Sequence, residues 1–298
     1  MKTIYRISDN GYKKPKLAGA TKLMCLQNFI ECFGTINYLV ADNCSDETIQ
    51  IVSKMAEQMH VTKLGNAGSF KYSVEMLKEE SIDPNELLYF VEDDYLHHPD
   101  AKTTLENAIE LSDYLTLFDH PDKYSKMYDY GEIGKILRVK NQHWKTSIST
   151  TMTFACKYEV IKNDFDGIKK FCKDFHPNDH EMFQFLKNKN KRKLCVSIPG
   201  FSFHTDISPY ILNLDSLSSS MDKWAVDYVI ENMKILIFKT NDGDLVEELE
   251  ELLRTLNHDY TVSNNLAYLE KLSNIYNKRK NQEAKSLDKD FSLSRENL

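Results

Sequence analysis

The sequence predicts an α/β fold built on a mostly parallel sheet. Three observations carry this. Over the first 112 residues, short apolar runs alternate with segments of helical periodicity. The run Leu87-Leu88-Tyr89-Phe90-Val91 is apolar at every position, as a strand covered on both faces must be. Polar or glycine-bearing turns follow three of the strand-like runs, which is the punctuation of repeated strand–helix units.

Taken in order, residues 3–8 read as a strand. Residues 21–33 place Leu23, Leu26, Phe29 and Ile30 on one helical face. A second strand covers 37–41. The spacing of Ile49, Val52, Met55, Ala56 and Met59 predicts a helix over 46–59. A short strand at 61–64 leads into a turn with Gly65 and Gly68, and a helix with Val74 and Leu77 inward covers 69–80. After the buried strand at 87–91, Pro99 suits the first turn of a helix that runs to Leu111. Strands at 135–140 and 147–155, helices at 158–173 and 179–189, and a strand at 194–198 make a second half over 113–214. Beyond 215 the chain is polar and helical. Two leucine stripes, Leu245 to Leu256 and Leu266 to Tyr276, read as a helical hairpin that could pack on the body or on a second copy. The tail from 277 is charged and frayed in expectation. The sequence therefore divides into a body of residues 1–214 and a helical extension of 215–298.

Composition narrows the function. Of 298 residues, 41% are hydrophobic, enough for a sizeable core, and 28% are charged. No apolar run approaches the roughly 20 residues that cross a bilayer. Arg6 and Asp9 interrupt any signal-peptide core near the start, so the expected compartment is the cytoplasm. A net charge of −7 argues against nucleic acid as a partner. The six cysteines lack C-x-x-C spacing and a histidine cluster, and read as reduced thiols.

In parallel sheets, ligands lie beyond the carboxyl ends of the strands. Three turns there are candidates. Glu92-Asp93-Asp94 follows the most buried strand. Carboxylates so crowded are either solvated or gathered around a divalent cation, and oxygen ligands suit magnesium or manganese. Such a cation can stabilise a diphosphate leaving group. Asp42-Asn43-Cys44-Ser45-Asp46-Glu47-Thr48 contains an N-cap serine, and leaves Asp42 to accept an imide N–H or a ribose hydroxyl. Leu64-Gly65-Asn66-Ala67-Gly68-Ser69 is either an ordinary tight turn or a loop that opens a helix toward an anion.

Together these three segments resemble the nucleotide-sugar half of GT-A glycosyltransferases, most closely family 2. That family carries Asp-Asp-x-Ser-x-Asp-x-Thr after a strand; residues 42–48 here, Asp-Asn-Cys-Ser-Asp-Glu-Thr, resemble it with one position fewer. It carries an Asn-x-Gly turn before a helix, matched by Asn66-Ala67-Gly68. It carries an acidic motif after an apolar strand, then a Pro-Asp helix start, matched by Glu92-Asp93-Asp94 and Pro99-Asp100. The resemblance covers residues 2–112, with Glu92 where the family has aspartate. It implies that Asp42 contacts the base and that Asp94 is the principal metal ligand. Glu92 and Asp93 would hold ribose or metal, and Arg6, Ser8 and Asp9 would line the nucleobase site, with Asn66 and Gly68 in the donor loop. Asp179, in Pro177-Asn178-Asp179-His180-Glu181, would be the base of an inverting transfer, with Glu181 in reserve; the bland alternative is that Asn178 or Asp179 only caps a helix. His204 would add a metal ligand. Trp144 is either a sugar platform or a core residue. His97 and His98 are neighbours of the acidic motif rather than ligands.

The implied function is manganese- or magnesium-dependent transfer of a sugar from a UDP-sugar donor to a hydroxyl of a saccharide or glycoconjugate acceptor, with inversion. The alternatives are a sugar-phosphate nucleotidyltransferase, disfavoured by a basic 10–16 segment poor in glycine, and a non-catalytic saccharide-binding or assembly protein. If the C-terminal helices pack on a second copy rather than on the body, the assembly is a homodimer.

Overall fold

The computed structural model describes residues 1–10, 16, 17, 19–120, 123, 134–173 and 175–206, and after them only 224, 225, 227–229, 231, 232, 246 and 247. The expected helical hairpin, its dimer contact and the tail lie outside the described residues. So does most of the 10–16 segment.

The chain divides into two compact units. The larger comprises residues 1–12, 21–204 and 215–225; the smaller comprises 13–20, 205–214 and 226–298. Within the smaller unit, Leu17 N–H donates to Thr205 O at 2.8 Å and Lys16 pairs with Asp206 at 3.2 Å.

The larger unit is α/β, as the periodicity predicts. Its nine-stranded sheet has the order β3-β2-β1-β4-β9-β6-β10-β8-β7. The strands are β1 (Lys2–Ile7), β2 (Ile36–Asp42), β3 (Ala56–Thr62), β4 (Leu87–Glu92), β6 (Tyr114–Thr116), β7 (Ile136–Val139), β8 (Gln142–Ser147), β9 (Phe154–Lys157) and β10 (Leu194–Ile198). Only β8 and β9 run against the other seven, so the sheet is mostly parallel. A two-stranded sheet pairs β5 (Tyr95–His97) with β11 (Ser202–His204).

Helices α1 (Lys22–Phe33) and α4 (Ala101–Ala108) cover one face of the sheet; α3 (Gly65–Glu75), α5 (Tyr158–Ile168) and α6 (Asp179–Lys189) cover the other. Strand β4 serves both. Leu87, Tyr89 and Val91 pack with Leu26, Phe29 and Leu105, while Leu88 and Phe90 pack with Phe70, Phe165 and Phe183. Successive side chains of a strand point to opposite faces, which is why this run has no polar position until Glu92.

The structure departs from the periodicity where sheet pairing outweighs it. Helix α2 (Asp46–Val52) stops seven residues short of the predicted end, and Ala56 and Met59 lie in β3. The open edge of β2 offers unpaired backbone groups, and β3 satisfies them from Ile36↔Ala56 to Asp42↔Thr62. Helix α3 begins at Gly65 rather than after the glycine turn, so that turn is the first helical turn. Residues 147–155 form the end of β8, a buried polar loop and the start of β9. The short strands β5 and β6 were too brief to register as periodic runs.

Phe90 is fully enclosed between Phe70 and Phe154, whereas Leu137 on the edge strand β7 is 36% exposed. Phe90→Ala is expected to lower the unfolding free energy by about 3–5 kcal/mol. Leu137→Ser should change it by no more than about 0.5 kcal/mol. Urea denaturation of the two variants checks the contrast, and similar losses would contradict this account of the core.

Candidate functional site

The carboxyl ends of β1 and β4 meet through a buried ion pair. Arg6 and Glu92 are register partners on these adjacent parallel strands. The Arg6 guanidinium donates to Glu92 Oε1 at 2.9 Å, to Asn66 Oδ1 at 3.0 Å, to the Asn66 carbonyl at 3.1 Å and to Ser69 Oγ at 3.2 Å. It also sits over the Phe70 ring, 5.3 Å from the centroid. Arg6 and Asn66 are thus brought to Glu92, but as its support. Burial raises the Glu92 carboxyl well above the usual glutamate range; Arg6 opposes this, and Asp94 and Asp179 add to it.

Asp93 turns back toward β1. Its Oδ2 accepts the Ser8 N–H at 2.9 Å and pairs with Lys22 Nζ, also at 2.9 Å. Lys22 additionally donates to the Ser8 carbonyl. Lysine at the start of α1 carried no sequence signal. It makes Asp93, Ser8 and α1 one unit.

Asp9 and Asp42 serve the backbone. Asp9 accepts the Ser45 N–H at 2.7 Å and the Thr48 hydroxyl at 3.0 Å, which steadies the start of α2 beside the Ser45 N-cap. Asp42 is 3% exposed. Its Oδ1 accepts from Leu64 N–H at 2.6 Å and Thr62 Oγ1 at 2.8 Å; its Oδ2 accepts from Asn43 Nδ2 at 2.8 Å and Gly65 N–H at 3.0 Å. A carboxylate has about four lone-pair sites, and all four are engaged here. Asp42 therefore caps α3, and a base contact through its carboxylate is not what these bonds serve.

Between the two readings of the Leu64–Ser69 loop, the described bonds favour a helix start held within the protein. The Gly65 N–H goes to Asp42, and the Ala67 N–H goes to the Phe175 carbonyl at 3.4 Å. Gly65 has φ +74°, a conformation that favours glycine. Gly68 is required by packing, since a Cβ there would lie 2.7 Å from Leu64 Cβ.

Asp94 faces a different partner. Strand β11 pairs antiparallel with β5, with His204 opposite Tyr95. This brings His204 Nε2 to 3.3 Å from Asp94 Oδ2. The imidazole is oriented by the Tyr95 ring, 4.7 Å away between centroids, and by the Phe118 ring at 5.8 Å. Neighbouring donors around an octahedral ion of ~2.1 Å bond length are about 3 Å apart. The pair fits adjacent ligand positions, and a carboxylate with an imidazole suits manganese.

Asp179 is the first residue of α6, beyond the sheet. The Asn178 side chain makes no capping bond. Asp179 Oδ1 accepts the His180 N–H at 2.7 Å. Burial raises its carboxyl above the ordinary aspartate range, and Glu181 adds to this; the His180 N–H, His120 and His180 oppose it. Asp179 also acts electrostatically on Glu92, so the two carboxylates belong to one field.

Other candidates resolve as core. Trp144 in β8 is fully buried among Leu115, Leu117 and Cys195, which excludes a solvent-facing platform. His97 is buried between Phe29, Phe33 and Tyr89, bonded to the Tyr89 hydroxyl at 2.8 Å, and burial lowers it to about 3. All six cysteines are free thiols.

The segment Ser147-Ile148-Ser149-Thr150-Thr151-Met152-Thr153, expected only as a strand, reaches the acidic turn. Thr153 Oγ1 accepts the Glu92 N–H at 3.2 Å, and Thr151 Oγ1 accepts the Tyr95 hydroxyl at 2.8 Å. Its signal was available: a hydroxyl-rich run inside apolar surroundings needs buried partners. Asp119 and Lys145, paired at 2.9 Å, were also not anticipated.

No family model and no curated protein matches this chain. Among solved structures it is similar to S. aureus TarS residues 1–349, at 15% identity and TM-score 0.40, covering 88% of this chain and 73% of that one. It is also similar to a nucleotidyl transferase from Methanothermobacter, Mth528, at 9% identity and TM-score 0.41, covering 78% and 98%. A third is CMP:2-keto-3-deoxy-manno-octonic acid synthetase complexed with CTP, at 11% identity and TM-score 0.41, covering 75% and 98%. At such scores these similarities assign neither substrate nor mechanism. Among the described residues, no helix is long and apolar enough to cross a membrane.

Asp42→Ala removes the acceptor of two backbone N–H groups at the start of α3. The unfolding free energy is expected to fall by about 2–3 kcal/mol, from the lost cap and the stranded donors. Chemical denaturation measures it, and unchanged stability would contradict the capping role.

Proposed function

We propose that the protein is a manganese- or magnesium-dependent glycosyltransferase. It would take a sugar from a UDP-sugar donor and place it, with inversion, on a hydroxyl of a saccharide or glycoconjugate acceptor. One observation carries this reading: the Asp94–His204 pair at 3.3 Å stands on the same acidic turn whose Glu92 shares an electrostatic field with Asp179. A metal-type donor pair and a raised carboxylate within one electrostatic field are what the reaction needs.

Asp94 and His204 would hold the cation. Once bound, it supplies charge neutralisation to the departing diphosphate. Glu92 and Asp93, set by Arg6, Ser8 and Lys22, would receive the ribose hydroxyls. Asp179 would take the proton of the acceptor hydroxyl. That oxygen attacks the anomeric carbon from the face opposite the diphosphate; the new carbon–oxygen bond forms as the carbon–oxygen bond to phosphate breaks. Asp179 remains protonated until it returns the proton to solvent.

The raised carboxyl of Asp179 has a kinetic consequence. Only the ionised form accepts a proton, so activity rises with pH as Asp179 ionises, and that limb lies above the ordinary aspartate value of ~4. Glu181 raises Asp179, so Glu181→Gln is expected to move the limb to lower pH. A pH–rate profile of UDP release checks the sign, and a shift to higher pH would contradict it.

UDP with manganese should stabilise the wild-type protein thermally more than either alone. Asp94→Ala and His204→Ala should lose the joint effect, and Asp179→Asn should keep it while losing transfer by 100-fold or more, on the order seen for a general base. Retained transfer in Asp179→Asn sinks the base. Pyrophosphate release from UTP and a sugar phosphate would instead make the protein a nucleotidyltransferase.

A further inference from the structure

We propose that Lys123, Ser149 and His180 form a positioning relay for Asp179, with His180 as the positioning residue. This rests on the reading of Asp179 as base, and adds what holds that base in place.

The relay is a chain of three bonded groups. Lys123 Nζ lies 2.7 Å from Ser149 Oγ, and Ser149 Oγ lies 3.2 Å from His180 Nδ1. The His180 backbone N–H then donates to Asp179 Oδ1 at 2.7 Å. A lysine ammonium only donates, so Ser149 receives from Lys123. The Ser149 oxygen has two lone pairs, so it can either give its proton to His180 Nδ1 or accept from Nδ1–H. The relay takes the first arrangement, which places the imidazole proton on Nε2.

Ser149 is itself fixed. It is 8% exposed, and its carbonyl accepts the Ser147 hydroxyl at 3.1 Å. The adjoining Thr150 hydroxyl bonds to Thr116 Oγ1 at 3.1 Å. Two and four residues beyond Ser149, the same segment reaches β5, where Thr151 accepts the Tyr95 hydroxyl, and the acidic turn, where Thr153 accepts the Glu92 N–H. One short segment thus touches Asp179's helix at Ser149 and the acidic turn at Thr153. It links the helix that carries the base to the acidic turn.

Folding of α6 does not depend on the relay. Met182, Phe183 and Leu186 anchor the helix in the core, and Asn190 ties its far end to Asp164 at 2.7 Å. What the relay adds concerns the first turn, where the Asn178 side chain makes no capping bond. A reacting base must hold its geometry to within a fraction of an ångström, so loosening that turn costs rate before it costs stability.

The test uses the full chain with five variants: Ser149→Ala, His180→Ala, the double variant of these two, His180→Asn and Asp179→Asn. Asparagine keeps an acceptor near the position of Nδ1. The first readout is the nitrogen spectrum of the protein labelled with ¹⁵N-histidine at pH 8, above the ordinary imidazole range. The His180 signals, identified by their loss in His180→Asn, should show a single tautomer protonated on Nε2. Ser149→Ala should abolish that preference. The second readout is UDP release from UDP-glucose and UDP-N-acetylglucosamine with manganese. Ser149→Ala and His180→Ala should each lose about 10- to 100-fold in kcat, the range of outer-shell positioning groups. The double variant should lose no more than either single, and His180→Asn should recover most of the rate. Thermal stabilisation by UDP with manganese should be unchanged in all of them.

A His180 proton on Nδ1, wild-type kcat in His180→Ala, or no recovery in His180→Asn overturns the relay. Absence of UDP release from wild-type protein, or full release by Asp179→Asn, overturns the transferase or base reading instead, and the tautomer result still decides the relay.

Discussion

A guanidinium buried between β1, β4 and α3 organises this protein. Arg6 holds Glu92, both acceptors of Asn66 and the Ser69 hydroxyl, while its face covers Phe70. Leaving such a charge without its partner inside a protein costs several kcal/mol. The acidic turn, the first turn of α3 and the end of β1 are consequently locked to one another. Two of the three carboxylates at the end of this apolar strand have their own counter-charge, Arg6 for Glu92 and Lys22 for Asp93, and Asp94 lies beside the His204 imidazole.

The same logic separates scaffold from chemistry among the acids. Asp42 and Asp9 have their oxygens engaged by backbone N–H groups and hydroxyls, and stabilise α3 and α2. Asp164, 1% exposed, gathers Arg192, Asn190 and the Tyr114 hydroxyl away from the acidic turn. These are carboxylates whose bonds hold the fold. Glu92 and Asp179 instead carry a burial penalty that their partners offset only in part, so both carboxyls are raised.

Much of the fold was legible. Strands β1, β2, β4 and β10 and helices α1 and α6 follow from apolar periodicity because their burial repeats along the chain. The acidic turn was legible for the same reason: it interrupts the most apolar run. The edge strand β3 was not, since its residues are half exposed and their spacing imitates a helix. The role of Asp42 was not, because a capping aspartate and a ligand-binding aspartate look alike until the donors around them are known. The hydroxyl segment 147–153 was misread as a strand; its partners Glu92 and Tyr95 lie more than fifty residues away.

The sequence by itself determined the α/β class, the order of the strand-end turns and the chemical types gathered at them. Those depend on local period and on residue identity, which a sequence contains. Only the tertiary structure decided which donors each carboxylate meets. It also decided that His204 meets Asp94 across a two-stranded sheet, and that Ser149 reaches His180. Those outcomes depend on distances between residues remote in sequence, and such distances are fixed by packing rather than by spacing along the chain.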